Sequence, residues 1–197
     1  MELDAAIDTA RRDFAELLAG LTSEQWEQPS LCAGWRVREV AAHVALTAAP
    51  LLTQVSAVVR SGFRFDRMVD ATARANAAKP PERLVEEVRA LVGVRKRPPG
   101  TTPVDPLNDV LVHTQDVARP LGITVPLDPE AAATAADLVW KRPFPFRAQA
   151  RVQGRELIAT DVDWRRGSGE PLEAPMGELL LILTGRVPVP VRGLPPG

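Results

Sequence analysis

Apolar residues recur every three to four positions through most of this chain and every second position in one later stretch. A chain patterned in that way must fold as helices first and as a mixed unit afterwards. Leu3, Ile7, Ala10, Phe14, Leu17 and Leu18 predict an amphipathic helix over 3–19 that ends at Gly20. Thr22 or Ser23 can cap a short Ser-Glu-Gln-Trp turn, and Pro29 breaks the chain. A second helix is expected from near Trp35, with Val37, Val40, Ala41, Val44, Ala48, Leu51, Leu52 and Val55 as its stripe. Pro50 should kink or interrupt it, having no N–H and clashing one turn back. Residues 61–80 are mixed, a helical segment with loops. Pro80-Pro81 opens a third helix with Leu84, Val85, Val88, Leu91 and Val92 inward. The loop RKRPPGTTPVDP leads to a fourth helix from about Pro106, with Leu107, Val110, Leu111, Val117 and Leu121 inward. Four such helices suggest a bundle.

The last third changes period. Phe146, Ala148, Ala150 and Val152 alternate with Arg147, Gln149, Arg151 and Gln153, which predicts a half-buried strand. Gly154-Arg155 turns the chain, Glu156 to Trp164 reads as the return strand of a hairpin, and Gly167 to Gly169 as another turn. A helix over 175–184 should close at Gly185, and the tail VPVPVRGLPPG should fray. The expected fold class is α+β: a helical bundle over 1–125 followed by a small α+β domain over 126–197.

Composition narrows the chemistry. The net charge is −1 over 197 residues, which gives no footprint for nucleic acid or an anionic membrane. Arginine outnumbers lysine 21 to 3, and a GC-rich genome accounts for that more simply than arginine-based recognition. No apolar run approaches the ~20 residues that span a bilayer, and no signal peptide is present, so a cytoplasmic protein with a reduced cysteine is expected. One cysteine excludes a disulfide framework and a cysteine-based zinc cluster. There are two histidines, His43 and His113, so histidine chemistry must use one or both.

His113 lies one helical turn after Asp109, and side chains at i and i+4 share a face. A carboxylate and an imidazole so placed can ligate one divalent metal ion, or they can form a plain helix-surface hydrogen bond. His43 sits beside Val40 and Val44, and His113 beside Val110 and Val117, so both point to the bundle interior or its rim. Metal sites in bundles are assembled there from facing helices. His43, Asp109 and His113 together would leave positions open, as in a catalytic site. Each histidine could equally be a satisfied core residue. Asp116 could orient a ligand or pair with an arginine. Cys32, eleven residues before His43, could be a nucleophile or a small residue fixing the start of the second helix. Arg147 and Arg151 could hold a carboxylate substrate or form a solvated strand face. Gly167-Ser168-Gly169 lacks the context of a phosphate loop.

The segment Ser30-Leu-Cys-Ala-Gly-Trp-Arg-Val-Arg-Glu-Val-Ala-Ala-His43 resembles the N-terminal signature of the mycothiol-dependent maleylpyruvate isomerase-like family, within the DinB-like helical bundle superfamily. Its pattern is approximately S-L-C-x-G-W-x-V-R-[DE]-V-x-A-H. Asp109, His113 and Asp116 match a second signature, E-x-x-x-H-x-x-D, with aspartate where glutamate is usual. The shorter side chain must approach from a closer backbone. Gly154 to Trp164 and Leu180 to Arg186 look like the family's C-terminal domain, a small sterol-carrier-like α+β unit. The resemblance implies a divalent metal, zinc first and nickel second, on His43, Asp109 and His113. It also implies an assisting C-terminal arginine, Arg186 with Arg151 behind it.

The activity so implied is thiol chemistry in an actinobacterial cytoplasm. The metal holds mycothiol as thiolate, which attacks a small-molecule electrophile. An isomerase would add and expel the thiol; an S-transferase would keep the adduct. A non-catalytic ligand-binding or regulatory relative and a metal-dependent hydrolase are the other readings. The resemblance leaves the chain a monomer or a homodimer.

Overall fold

The computed structural model of the protein describes residues 1–48, 65–97 and 100–190. The chain divides into two compact units, one of Glu2–Val125 and one from Pro126 onward together with Met1. The first is helical and the second is mixed, which makes the fold α+β.

The first unit contains α1 (Leu3–Ala19), α2 (Ser23–Trp26), α3 (Val37–Ala45), α4 (Phe65–Asn76), α5 (Pro81–Arg89) and α6 (Asp105–Ala118). Helix α1 occupies the predicted span. Thr22 caps α2 through a reciprocal box with Gln25. Helix α3 starts at Val37 rather than near Trp35. Arg36 keeps an extended backbone, and its N–H donates to Glu39 Oε2 at 2.8 Å, which leaves Trp35 in the preceding loop. After Ala45 the chain makes a 3-10 turn, Leu46–Ala48. Pro50, Leu51, Leu52 and Val55 lie outside the described residues, as do 61–64 and the part of the expected frayed tail beyond Pro190.

Helix α1 packs on α5 and α6, and α3 packs on α4, α5 and α6. Phe14, Leu18, Val37, Val40, Val44, Leu84, Val88, Val110 and Val117 are buried where these helices meet. Each such side chain contributes roughly 1.5–3 kcal/mol by leaving water. Helix α6 is central: from Leu107 to Ala118 every residue is buried except Asp109, which is half-buried. Burying polar side chains costs free energy unless they are paired; α6 buries Asn108, His113, Thr114, Gln115 and Asp116, of which Asn108 Oδ1 has no hydrogen-bond partner among the described residues.

The second unit contains α7 (Pro129–Lys141), α8 (Ala148–Arg151), β1 (Arg155–Ala159), β2 (Arg165–Gly167), β3 (Glu170–Ala174) and α9 (Met176–Thr184). Helix α7 falls where no element was expected. Asp128 caps it by accepting from Ala131 N–H at 2.7 Å, and its inner face is alanine-rich. The predicted strand over 146–152 is instead the turn of helix α8. Ala148 and Val152 are buried and Ala150 is exposed, so the buried spacing is four rather than two. Arg151 N–H donates to Arg147 O at 3.0 Å, and Val152 N–H to Ala148 O at 3.2 Å. Alternating alanines fit either period, and alanine favours the helix.

The expected return strand over 156–164 is also corrected. Only β1 is extended there, and its antiparallel partner is β2, paired Glu156↔Gly167. Strand β3 lies parallel to β1 on the other side, paired Arg155↔Glu170, so the order is β2-β1-β3. The chain must therefore cross the start of β1 between β2 and β3. Gly167 and Gly169 make that crossing, at φ +85° and +121°. A Cβ on Gly167 would collide with the Arg155 carbonyl oxygen, and one on Gly169 with the Gly154 carbonyl. Only glycine allows this approach. Helix α9 occupies its predicted place, closes at Gly185 in the left-handed conformation, and packs on α7 and β1.

Candidate metal centre

Two helices and one loop of the first unit converge. His43 comes from α3, and Asp109, His113 and Asp116 come from α6. The loop Ser30–Trp35 supplies Cys32 and Trp35. The loop is a tight turn: Ser30 N–H and Oγ–H each donate to Trp35 O at 2.9 Å, and Trp35 N–H donates to Cys32 O at 2.9 Å. Gly34 takes φ +78° within it. Leu31 N–H donates to Asp116 O at 3.0 Å, which fixes the loop to α6.

Asp109 Oδ1 stands 3.5 Å from Nε2 of His43 and 3.5 Å from Nε2 of His113. All three atoms lie within 4.8 Å of one another. His43 and Asp109 keep 23 % and 27 % of their side-chain surface in solvent, against 10 % for His113. The cluster is therefore enclosed on the His113 side and open on the other. Trp35 leans on His43 with ring centroids 5.5 Å apart. Its indole N–H donates to Asp70 Oδ1 at 2.8 Å, and Arg74 holds Asp70 and also donates to Gly34 O.

On its far edge, His113 Nδ1 lies 2.9 Å from Oδ2 of Asp116, which is fully buried. The Cys32 thiol donates to the same oxygen at 3.1 Å. Burial alone would raise the Asp109 pKa, but the two imidazoles outweigh it and hold the carboxyl well below the usual range. Burial likewise works against a proton on His113, and Asp109, Asp116 and Cys32 outweigh it, so its pKa is raised well above the ordinary value.

The donor set suits a divalent ion of borderline softness. Two ligand atoms each ~2.1 Å from a tetrahedral ion lie ~3.4 Å apart, and the two observed spacings are 3.5 Å. The structure brings together the three residues that the sequence suggests as a ligand set, and of the two roles open to Asp116, orienting a ligand or pairing with an arginine, it places the carboxylate against His113. Trp35 against His43 and Cys32 on Asp116 are contacts that the sequence does not predict. The adjacency of both residues in the Ser30–Trp35 segment was the available signal.

Arg151 and Arg186 belong to the second unit. The Arg151 guanidinium lies across Gly185, where a Cβ would meet its Nη2 at 2.6 Å. Arg186 follows Gly185 directly, and its Nη1 donates to Thr184 O at 3.0 Å. The two arginines thus share the end of α9. Arg147 takes φ +51° before α8 and is not on a strand face with Arg151.

A helical unit with two imidazoles and a carboxylate converging on one open point, joined to a small α+β unit, defines an α+β protein with a candidate metal-binding bundle. Residues 7–103 match the family model of the mycothiol maleylpyruvate isomerase N-terminal domain, so the first unit resembles that domain. The match takes in Cys32, Trp35 and His43 and ends before Asp109.

The fold is also similar to solved structures. The crystal structure of the mycothiol-dependent maleylpyruvate isomerase superposes with a TM-score of 0.65 at 15 % identity, covering 94 % of this chain and 89 % of that one. A mutant of that isomerase gives a TM-score of 0.64 at the same identity and coverage. No curated protein matches the chain by sequence. No helix among the described residues is long and apolar enough to cross a membrane.

Proposed function

We propose that this chain is a divalent-metal-dependent, mycothiol-dependent enzyme of the maleylpyruvate isomerase type. The observation that carries the reading is the convergence of His43, Asp109 and His113 at spacings that fit one ion. The family match and the shared fold support it. Zinc is the first choice of metal for this donor set, and nickel the second. In this reading the first unit is the DinB-like metal-binding bundle, and the second is the sterol-carrier-like domain. The protein works in the cytoplasm as a monomer or homodimer, on a small electrophile such as maleylpyruvate.

When bound, the metal would lower the pKa of the mycothiol thiol, whose sulfur could then add to and leave a cis double bond, allowing rotation between the two steps. The chain's own residues prepare the place. His43 and His113 present Nε2 from two helices, and Asp109 adds one negative charge between them. Three protein ligands leave room for a thiol. Trp35 covers one side of His43 with apolar surface, which keeps water from that edge. Within the second unit, Arg186 with Arg151 beside it at the end of α9 offers positive charge to a carboxylate.

If the thiol stayed on the product, the same site would serve an S-transferase. The test is turnover of maleylpyruvate by metal-loaded protein with and without mycothiol. Isomerisation that needs both metal and thiol supports the proposal. A stable thioether product points to the transferase. A metal-loaded protein that turns over neither maleylpyruvate nor a generic electrophile would be a binding relative.

A further inference from the structure

Cys32 has no part in the activity proposed above, yet it stands against the residue that touches His113. Asp116 Oδ2 accepts from the Cys32 thiol at 3.1 Å and lies 2.9 Å from His113 Nδ1. Asp116 has no solvent-exposed side-chain surface. Its backbone carbonyl accepts from Leu31 N–H, next in the chain to Cys32, at 3.0 Å. One loop therefore grips one aspartate twice, through main chain and side chain.

We infer that Cys32 and Asp116 are a positioning pair for His113, which hold the proton on its Nδ1 and so leave Nε2 as the atom offered to a metal ion. The inference rests on the metal reading above. A carboxylate that accepts from Nδ1 fixes both the tautomer and the plane of a ligating imidazole. The Cys32 thiol fixes the carboxylate in turn, because an oxygen that accepts from two donors has little freedom to rotate away. The thiol here is a hydrogen-bond donor, neither a nucleophile nor a ligand.

The competing arrangement uses Cys32, His113 and Asp116 themselves as a metal site, since their donor atoms also lie within 4.8 Å of one another. The spacings argue against it. Ligand atoms around one tetrahedral ion sit ~3.4 Å apart or more, whereas Nδ1 to Oδ2 is 2.9 Å, the length of a hydrogen bond. The Nε2 side of the same ring shows the wider spacing of 3.5 Å.

The test compares wild type, Cys32→Ala, Cys32→Ser and Asp116→Asn. Zinc affinity is read by competition with a chromophoric chelator. Asp116→Asn should weaken zinc binding by about 10- to 100-fold, with Cys32→Ala near the lower end of that range. Cys32→Ser should bind close to wild type, because its hydroxyl can donate to the same oxygen. A merely structural role would not give that rescue. Nitrogen-15 histidine spectra of the metal-free proteins, recorded at a pH high enough for His113 to be neutral, should show its proton on Nδ1 in wild type, and less so in Asp116→Asn. Cobalt-loaded wild type should show no sulfur-to-metal charge-transfer band.

Wild-type affinity in Cys32→Ala, an Nε2-protonated tautomer in wild type, or a sulfur-to-cobalt band would each overturn the inference while leaving a metal protein. Failure of the wild type to bind zinc, nickel or cobalt would overturn the metal reading and this inference with it.

Discussion

His43 on α3 and His113 on α6 meet edge to face, with ring centroids 5.0 Å apart and planes 75° apart. On the metal reading, two imidazoles held so, with Asp109 Oδ1 at 3.5 Å from each Nε2, would form a site that depends on all three donors. Removing any one leaves two ligands. His43→Ala, His113→Ala and Asp109→Asn should each lose more metal affinity than the roughly 100-fold that outer-sphere changes reach. Metal content after loading and desalting checks this. Full stoichiometric metal in any of the three variants would show that the ion is held elsewhere.

Trp35 should report that loading directly. Its ring centroid is 5.5 Å from that of His43, and its indole N–H is fixed on Asp70. Nickel or cobalt bound at His43 should quench part of the fluorescence, since the chain has four tryptophans and Trp35 is the one against the site. Titration of wild type against Trp35→Phe measures the effect. Equal fractional quenching in both would mean that the ion sits away from Trp35.

How much of this was legible in the sequence follows from the range of each interaction. His113 and Asp109 share a face by helix geometry alone, and Asp116 is one turn further on the same helix, so α6 could be read directly. His43 could be added because its stripe and that of α6 both point inward. The Cys32 thiol on Asp116 needs a tertiary contact across 84 positions, which no local period encodes. In the second unit, the alternation at 146–152 misled because alanine and arginine satisfy both periods, and burial of Ala148 and Val152 decided the matter. Helix α7 was missed although Asp128-Pro129 is a regular start signal, because its inner face is built from alanines rather than large apolar residues. The parallel pairing of β3 with β1 is a long-range choice, and Gly167 and Gly169 betrayed only that a turn was there.

Arg11 offers a test of the bundle's packing. Its side chain is buried at 3 % exposure, and Nη1 donates to Leu91 O at 2.6 Å and to Val94 O at 2.8 Å, just beyond the end of α5. Arg11→Met keeps much of the stem's apolar bulk but removes the guanidinium donor from Val94 O and leaves Leu91 O only the Val94 N–H at 3.0 Å. A buried acceptor left without a donor costs about 1–3 kcal/mol, so chemical denaturation should show a loss of about 1–3 kcal/mol. A midpoint unchanged from wild type would mean that water replaces the guanidinium at little cost.

Acid stability should depend on Asp8. Its carboxylate accepts from Arg95 Nη1 at 2.9 Å and Nη2 at 2.7 Å, and from Gly93 N–H at 2.9 Å. These contacts, the Arg95 hydrogen bonds foremost, lower its pKa from 3.8 to about 2 against the opposing effect of burial. Because the folded value lies below the unfolded one, the pair stabilises the fold above pH 3.8 and loses that contribution as pH falls toward 2. Asp8→Asn should therefore melt below wild type at neutral pH, and the two melting temperatures should converge as the pH is lowered through that interval. Arg95 is 42 % exposed, so the gap should be modest and should shrink with added salt. A gap that widened in acid would show that another group, not Asp8, carries the titration.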